Sequence, residues 1–320
     1  MSMHQEPLVF VGVATLDTIA MVDHMPGPDE RRKAEAMVRA GGGPAATAAV
    51  AAVRLGMPDV RFVGAVGEDE DGERVLAGLA EEGVDVSGVI RVPAHPTGAS
   101  VVVVDSSRDT RAICNRPGPE FAIRAGSAAA DALRAASWVH VDQVGWDVMR
   151  DQLAEVLDHT AQGVPRISVD AGNAIPGYAP RGVALDVPNE ASLLARYGAS
   201  DLDDALGRAV GEGAGCVVAT LGPRGSVALT ADGDRVSAPG VAADVVSTLG
   251  AGDVFHGALL SAVVRGEPLG FCLAYANAVA ALSCRALDGR SQIPSHQEAT
   301  AVLNHSVSAA RSAETHRQKV

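Results

Sequence analysis

The stretch Asp244–Ala262, DVVSTLGAGDVFHGALLSA, sets a β-branched run against Gly250-Ala251-Gly252-Asp253 and then an apolar segment with helical spacing. Glycine lets the backbone turn tightly and approach a ligand closely. The first N–H groups of a helix lack intrahelical partners and carry partial positive charge. A glycine-rich turn feeding a helix therefore suits a phosphate, and it suits the charge that develops when a phosphoryl group moves. A carboxylate in that turn stays ionised, because the same dipole favours its anion. It can then accept a hydroxyl proton beside the transferring group. The same residues also suit an ordinary acidic first turn behind a tight loop.

Around this stretch, apolar β-type runs alternate with helix-like segments. Strands are expected at 8–13, 60–66, 138–141, 166–170, 183–187 and 216–220, and helices at 44–55, 71–82, 146–162, 201–211, 251–265 and 269–287. Most strand runs are continuously apolar, which fits a parallel sheet covered on both faces. The alternation predicts an open α/β fold with helices on both sides. Two segments, 15–40 and 97–115, break the rhythm with β-type pieces and turn residues. They predict a small antiparallel flap beside the main sheet. One domain is expected over 1–310, with a polar, frayed tail over 311–320.

The 320 residues carry 39 acidic and 26 basic side chains, a formal net charge of −13. Such a surface repels nucleic acid and anionic membrane. An anionic ligand must be drawn by local donors, and Arg31, Arg32 and Lys33 form one basic cluster. Cys114, Cys216, Cys272 and Cys284 make no CxxC pair and read as free thiols in a reducing compartment. The N-terminus has no basic segment or cleavage pattern of a signal peptide, and the run 44–53 is too short to span a bilayer. The expected location is the cytoplasm.

Three further stretches carry chemistry. In AGGGPAATAAVAAVRLG, 40–56, three glycines precede a helix with Pro44 in its first turn. This is either a tight turn into a core helix or backbone held against a small polar ligand. In VVATLGPRGSVAL, 217–229, a strand ends, turns and returns, at the strand end where α/β sheets bind ligands. An ordinary β-turn reads the same way. Asp17 follows a central-looking strand and is either a turn residue or a ligand contact. GxxxxGK[ST], GxGxxG after a strand, HRD, DFG and HExxH are all missing. His256, inside the helix after Asp253, reads as a packed residue.

Taken together and in this order, the GG run near residue 41, the TLGxxG corner and GAGD before a late helix resemble the PfkB/ribokinase family of carbohydrate kinases, over roughly 8–305. The resemblance implies a ribokinase-like three-layer sandwich with a mostly parallel central sheet and a small β-sheet lid, which often pairs two subunits into a homodimer. It implies Asp253 as catalytic base and Gly250, Ala251 and Gly252 as the anion hole. Asp17, Gly42 and Gly43 would bind sugar hydroxyls, with Thr47 standing where the family has asparagine. Asn189, Thr220, Gly222, Gly225 and Asn277 would border ATP. Magnesium would ride on the ATP phosphates, with Glu190 as a contact through water.

The chain departs from the family at Ser247, where an aspartate usually supports a monovalent-cation site, and at Ser192, where the NxxE motif usually ends in glutamate. The GGG helix and GAGDVFHGAL most resemble the sulfofructose kinase and ketohexokinase-type branch, which places Arg31 and Asn115 as sulfonate contacts. That branch's arginine after the 138–141 strand is replaced by HVDQVGW, so His140, Asp142 and Gln143 make a more neutral wall. The expected activity is ATP-dependent phosphorylation of a primary hydroxyl on a ketose, fructose-like, with 6-deoxy-6-sulfofructose as the branch-specific candidate. A ribokinase or nucleoside kinase is the alternative, and scarce lid aromatics count against a nucleoside. A sugar- or nucleotide-binding sensor without turnover is the alternative from another class.

Overall fold

The computed structural model describes residues 6–108, 110–157 and 164–304. The first half runs β1 (Leu8–Gly12), β2 (Thr15–Val22), β3 (Ala36–Gly42), α1 (Pro44–Arg54), β4 (Val60–Gly67), α2 (Glu70–Glu81), β5 (Ile90–Val92), β6 (Ala99–Asp105), β7 (Thr110–Arg116), α3 (Ala128–Ala135), β8 (Trp138–Val141) and α4 (Gln143–Leu157). The second half runs β9 (Arg166–Asp170), β10 (Leu185–Val187), α5 (Glu190–Tyr197), α6 (Leu202–Gly211), β11 (Cys216–Thr220), β12 (Ser226–Thr230), β13 (Arg235–Ala238), α7 (Ala251–Val264) and α8 (Leu269–Ser283).

The unbroken apolar runs become the central sheet, in the order β13-β12-β11-β10-β9-β8-β1-β4-β5. Pairing is parallel from β11 to β5 and antiparallel only where β12 and β13 join. Alternate residues serve opposite layers. Leu8 and Phe10 pack among residues of α1, α2, α7 and α8. Val9 and Val11 pack among residues of α3 and α4. Toward the β12 edge, Leu193 of α5 and Leu206 of α6 pack on Val217 and Ala219.

The alanine-rich composition of α1 has a steric reason. A Cβ added at Gly257 of α7 would lie 2.3 Å from the Ala48 carbonyl oxygen. The two helices approach that closely only because both present small side chains there.

Segments 15–40 and 97–115 contribute a separate four-stranded sheet, β3-β2-β6-β7. Its β2–β6 pairing is parallel and its other two pairings are antiparallel. Ile19, Val102 and Val104 on its inner face pack with Leu249 and Leu287. Asp17 thus lies within β2 of this sheet, rather than in a turn after a central strand.

Helix α4 starts three residues before the expected position, because the Asp142 carboxylate accepts the N–H groups of Val144 and Gly145. Residues 158–162 of the expected helix, and the tail 311–320, lie outside the described residues. The short elements β5, β13, α3 and α5 carry too little periodicity to be read from sequence. Among the described residues no helix is long and apolar enough to cross a membrane. Cys216, Cys272 and Cys284 are buried free thiols and Cys114 is an exposed one.

Candidate active site

Two cavities open beside the N-terminus of α7. The larger, about 600 Å³, lies between the small sheet and the C-terminal ends of β1 and β8. The smaller, about 290 Å³, lies over the ends of β9 and β11. Pro44, Ile113, Asn173, Leu249, Gly250 and Asp253 line both, so the two spaces meet at Asp253.

The α7 terminus is built by glycine. Gly250 adopts φ 75°, in the left-handed region. A Cβ there would stand 2.8 Å from the Gly289 Cα. Gly252 faces open space, with no atom within 4 Å of an added Cβ. Asp253 follows in the first helical turn, half-buried. Burial, and then the charge of Asp170, push its pKa up to about 7. His256 pulls it back down, Asp142 adds to the rise, and Arg290 lowers it.

Asp17, Gly42, Gly43, Thr47 and Asn115 all line the larger cavity. Asp17 Oδ1 accepts the Ser100 N–H at 2.9 Å. Burial raises its pKa, against the lowering from Thr15, Ser100 and Arg290. A Cβ at Gly42 would fall 2.1 Å from Asp17 Oδ2 and displace that carboxylate. Gly43, at φ 92°, turns the chain into α1 with no room for a Cβ beside the Val13 carbonyl. Arg31 is exposed in the β2–β3 loop and lines neither cavity.

Of the residues expected on the nucleotide side, Asn189, Thr220 and Gly252 line the smaller cavity, as does Gly250 of the expected anion hole. The Asn189 side chain is also structural: it caps α5 at the Ser192 N–H and donates to the Gly172 carbonyl. Gly222, Gly225 and Asn277 line neither cavity. Asn277 Nδ2 donates to the carbonyls of Ala238 and Pro239. A Cβ at Gly225 would strike the same Ala238 carbonyl. Both residues therefore clamp the segment after β13. The Glu190 carboxylate is ion-paired with Arg224. Among the described residues no group of three or more His, Cys, Asp or Glu side chains could hold a metal ion.

Several contributors had no local signal in the sequence. Arg290, almost fully buried, donates from Nη2 to the Gly42 carbonyl at 2.7 Å and from Nε to Thr47 Oγ1 at 3.1 Å. Burial lowers its pKa to about 10, against the opposing pull of Asp17 and Asp253. Arg111 of β7 donates to Thr248 Oγ1 at 2.9 Å and lines the smaller cavity. Of the HVDQVGW wall, Gln143 and Val144 reach the larger cavity, with Phe121 nearby. Asp142 is buried behind that wall. Its Oδ2 accepts from the N–H groups of Val13 (2.7 Å) and Ala45 (3.3 Å), so it ties α1 and α4 to the end of β1. Burial raises its pKa to about 6.

The pfkB family carbohydrate kinase model matches residues 5–296. The chain is 28% identical to a ribokinase of Arabidopsis thaliana, over 95% of this chain and 83% of that protein. It is 29% identical to an ATP-dependent ribose-1-phosphate kinase of Halopiger xanaduensis, over 88% of this chain and 92% of that one. A nucleoside kinase of Methanothermobacter thermautotrophicus is 26% identical, over 91% and 94%. The solved structure of Arabidopsis thaliana ribokinase with ribose and ATP superposes with a TM-score of 0.80 at 26% identity, covering 93% of this chain and 98% of that one.

Proposed function

Because the chain belongs to the pfkB family of carbohydrate kinases, we propose that it transfers the γ-phosphoryl group of ATP to the primary hydroxyl of a ribose-like furanose. The meeting of two cavities at Asp253 and Gly250 carries this reading. Sugar would enter the larger space and ATP the smaller, so that acceptor and donor face each other across the α7 terminus. Asp17, Gly42, Gly43 and Asn115 would contact the sugar, while Asn189 and Thr220 would border the nucleotide. The Asp253 carboxylate would take the hydroxyl proton as the oxygen attacks phosphorus. The N–H groups at Gly250–Gly252 would hold the developing charge. The donor set suits magnesium carried in on the ATP phosphates rather than caged by protein, since Mg²⁺ commonly keeps waters and few side-chain ligands.

A ribose-like acceptor replaces the ketose and sulfofructose expectation. The relatives named above are ribose and nucleoside kinases. Arg31, the expected sulfonate contact, lies away from the cavity. A nucleoside is the second reading, favoured by the size of the larger cavity and by Phe121, Ile113 and Val144 in its wall. Sequence counted the scarcity of lid aromatics against a nucleoside, but Phe121 comes from outside the lid segments. A homodimer through the small sheet is supported by Met37 and Val101, 66% and 54% exposed on its outer face.

The decisive measurement is ADP release with ribose, ribose 1-phosphate, nucleosides, fructose and sulfofructose, each with and without potassium. Release is expected to be fastest with ribose or a nucleoside. Binding with no ADP release across the panel would overturn the enzyme reading in favour of a sensor. Potassium is expected to leave turnover unchanged. Ser247 offers no carboxylate to a cation, its hydroxyl accepts the Leu249 N–H, and Arg111 already brings positive charge to Thr248.

Gly252→Ala separates stability from function. The added methyl meets open space, so melting temperature is expected to stay level or rise slightly, as alanine favours a helix. It also intrudes where the phosphoryl group would sit, so turnover is expected to fall by roughly 10-fold or more. Thermal melts and kcat measured on one preparation check both halves.

A further inference from the structure

Beneath Asp253 lies a buried cluster that the proposed reaction leaves unused. His256 follows Asp253 by one turn of α7, so the two project from the same side of the helix. Its ring is sealed at 6% exposure. Nδ1 stands 3.1 Å from Asp170 Oδ2, close enough for an ion pair but not aligned as a hydrogen bond. Nε2 stands 3.2 Å from the Val187 carbonyl oxygen. Asp170 is itself oriented by the Gly172 N–H, at 2.9 Å from Oδ1. Asp170, Asp253 and His256 all line the smaller cavity.

The partners decide the protonation state. A carbonyl oxygen can only accept, so Nε2 must carry a proton. An ionised carboxylate likewise calls for a protonated Nδ1. With both ring nitrogens protonated, His256 is an imidazolium. The neighbouring ring of His140, 5.4 Å away between centroids, takes the opposite state. Its Nδ1 meets only the Ser168 hydroxyl and its Nε2 has no partner. Burial holds its pKa down to about 3, so it stays neutral. His256 resists the same desolvation, because Asp170 raises its pKa. Burial opposes the charge of Asp170 in turn, yet His256 holds that carboxyl below its usual range.

The charged groups facing this cluster are Asp142 at the head of α4, Asp170 on β9, Asp253 on α7 and Arg290 after α8. Arg290 also faces Asp17, so the carboxylates outnumber the two cations, His256 and Arg290. Removing the imidazolium leaves an excess negative charge in a poorly hydrated site. The excess is relieved most readily by protonating the carboxylate that already holds its proton most tightly, Asp253.

We propose that His256, held as an imidazolium by Asp170, is a built-in counter-ion for Asp253, keeping its carboxylate ionised and ready to accept the sugar proton. The inference rests on the reading of Asp253 as base. His256 is a positioning residue: the sugar O–H proton goes to Asp253, the O–P bond forms as the bond to the ADP oxygen breaks, ADP leaves with the electron pair, and His256 keeps both protons throughout.

The test compares wild type, His256→Gln and Asp170→Asn in full pH profiles of kcat/KM for the best sugar of the panel. In His256→Gln the acid limb is expected to move up by about one pH unit or more, with activity recovering on the alkaline side, whereas in Asp170→Asn, which removes a like charge from beside Asp253, it is expected not to move up. In His256→Gln a drop at all pH values with an unmoved limb would mean a structural role only and would overturn the proposal. The second measurement needs no turnover. In protein labelled with ¹⁵N-histidine, the His256 resonances, assigned by their loss in His256→Gln or their displacement in Asp170→Asn, are expected to remain those of an imidazolium above the pH at which an ordinary histidine loses its proton. A neutral ring at pH 7 overturns the proposal. Failure of the base assignment is read separately, as undiminished turnover in Asp253→Asn.

Discussion

Asp253→Asn is expected to fold and to lose turnover by roughly 10²- to 10⁴-fold, the range associated with a positioned general base. Asparagine keeps the size and first-turn position of aspartate but accepts no proton. The loss should appear in kcat, with binding of sugar and ATP close to wild type, because the groups around both cavities are untouched. The variant should also be at least as stable as wild type above pH 7. The sign follows from protonation. Folding raises the Asp253 pKa from an ordinary carboxyl value to about 7, so across that interval the native state binds more protons than the unfolded one. Stability then falls as pH rises through the interval, and the uncharged amide removes that slope. A carboxylate kept at a cost to stability marks a site held for function rather than for folding. Melting curves at pH 5 and pH 8, beside steady-state kinetics, check both parts. Near wild-type turnover with the correct sugar would falsify the mechanism.

Asp142→Ala is expected to be the most damaging single change to the fold, by about 3–5 kcal/mol. One fully buried carboxylate accepts four backbone N–H groups, from Val13, Ala45, Val144 and Gly145. These donors belong to the turn after β1 and the first turns of α1 and α4. Alanine strips all four of their acceptor in a place water reaches poorly. Asp142→Asn should recover part of the loss, since its carbonyl oxygen still accepts on one side. Gly12 belongs to the same joint: a Cβ there would lie 2.1 Å from Asp142 Oδ1. Chemical denaturation at pH 8, where the Asp142 carboxyl is ionised, gives the comparison. A change below about 1 kcal/mol would mean the joint is held by other contacts.

The contrast between these two carboxylates shows what local sequence can and cannot carry. Asp253 was legible because glycines and an apolar helical run flank it, and those neighbours are the physical cause of its setting. Asp142 sits in HVDQVGW, where nothing nearby tells a wall residue from a buried clasp. Its role depends on Val13 and Ala45, about a hundred residues or more away in the chain. Arg290 is hidden in the same way, meeting Gly42 and Thr47 across more than two hundred residues. Gly225 and Asn277 carry a structural contact that local sequence does not show. The family pattern marks them as nucleotide neighbours, while their contacts fasten the segment after β13.

By itself the sequence determined the layered α/β architecture, since unbroken apolar strands must be covered on both faces and the helical stripes supply the cover. It determined the small second sheet, through two β-rich segments that break the alternation, and the glycine–aspartate helix mouth. Only the tertiary structure decided which charges meet there. It set His256 against Asp170 and Val187, put Arg290 behind the diglycine, and brought two cavities together at Asp253. The reason is geometric: periodicity tells each segment which face to bury, whereas the neighbours across a cavity follow from the order of strands in the sheet.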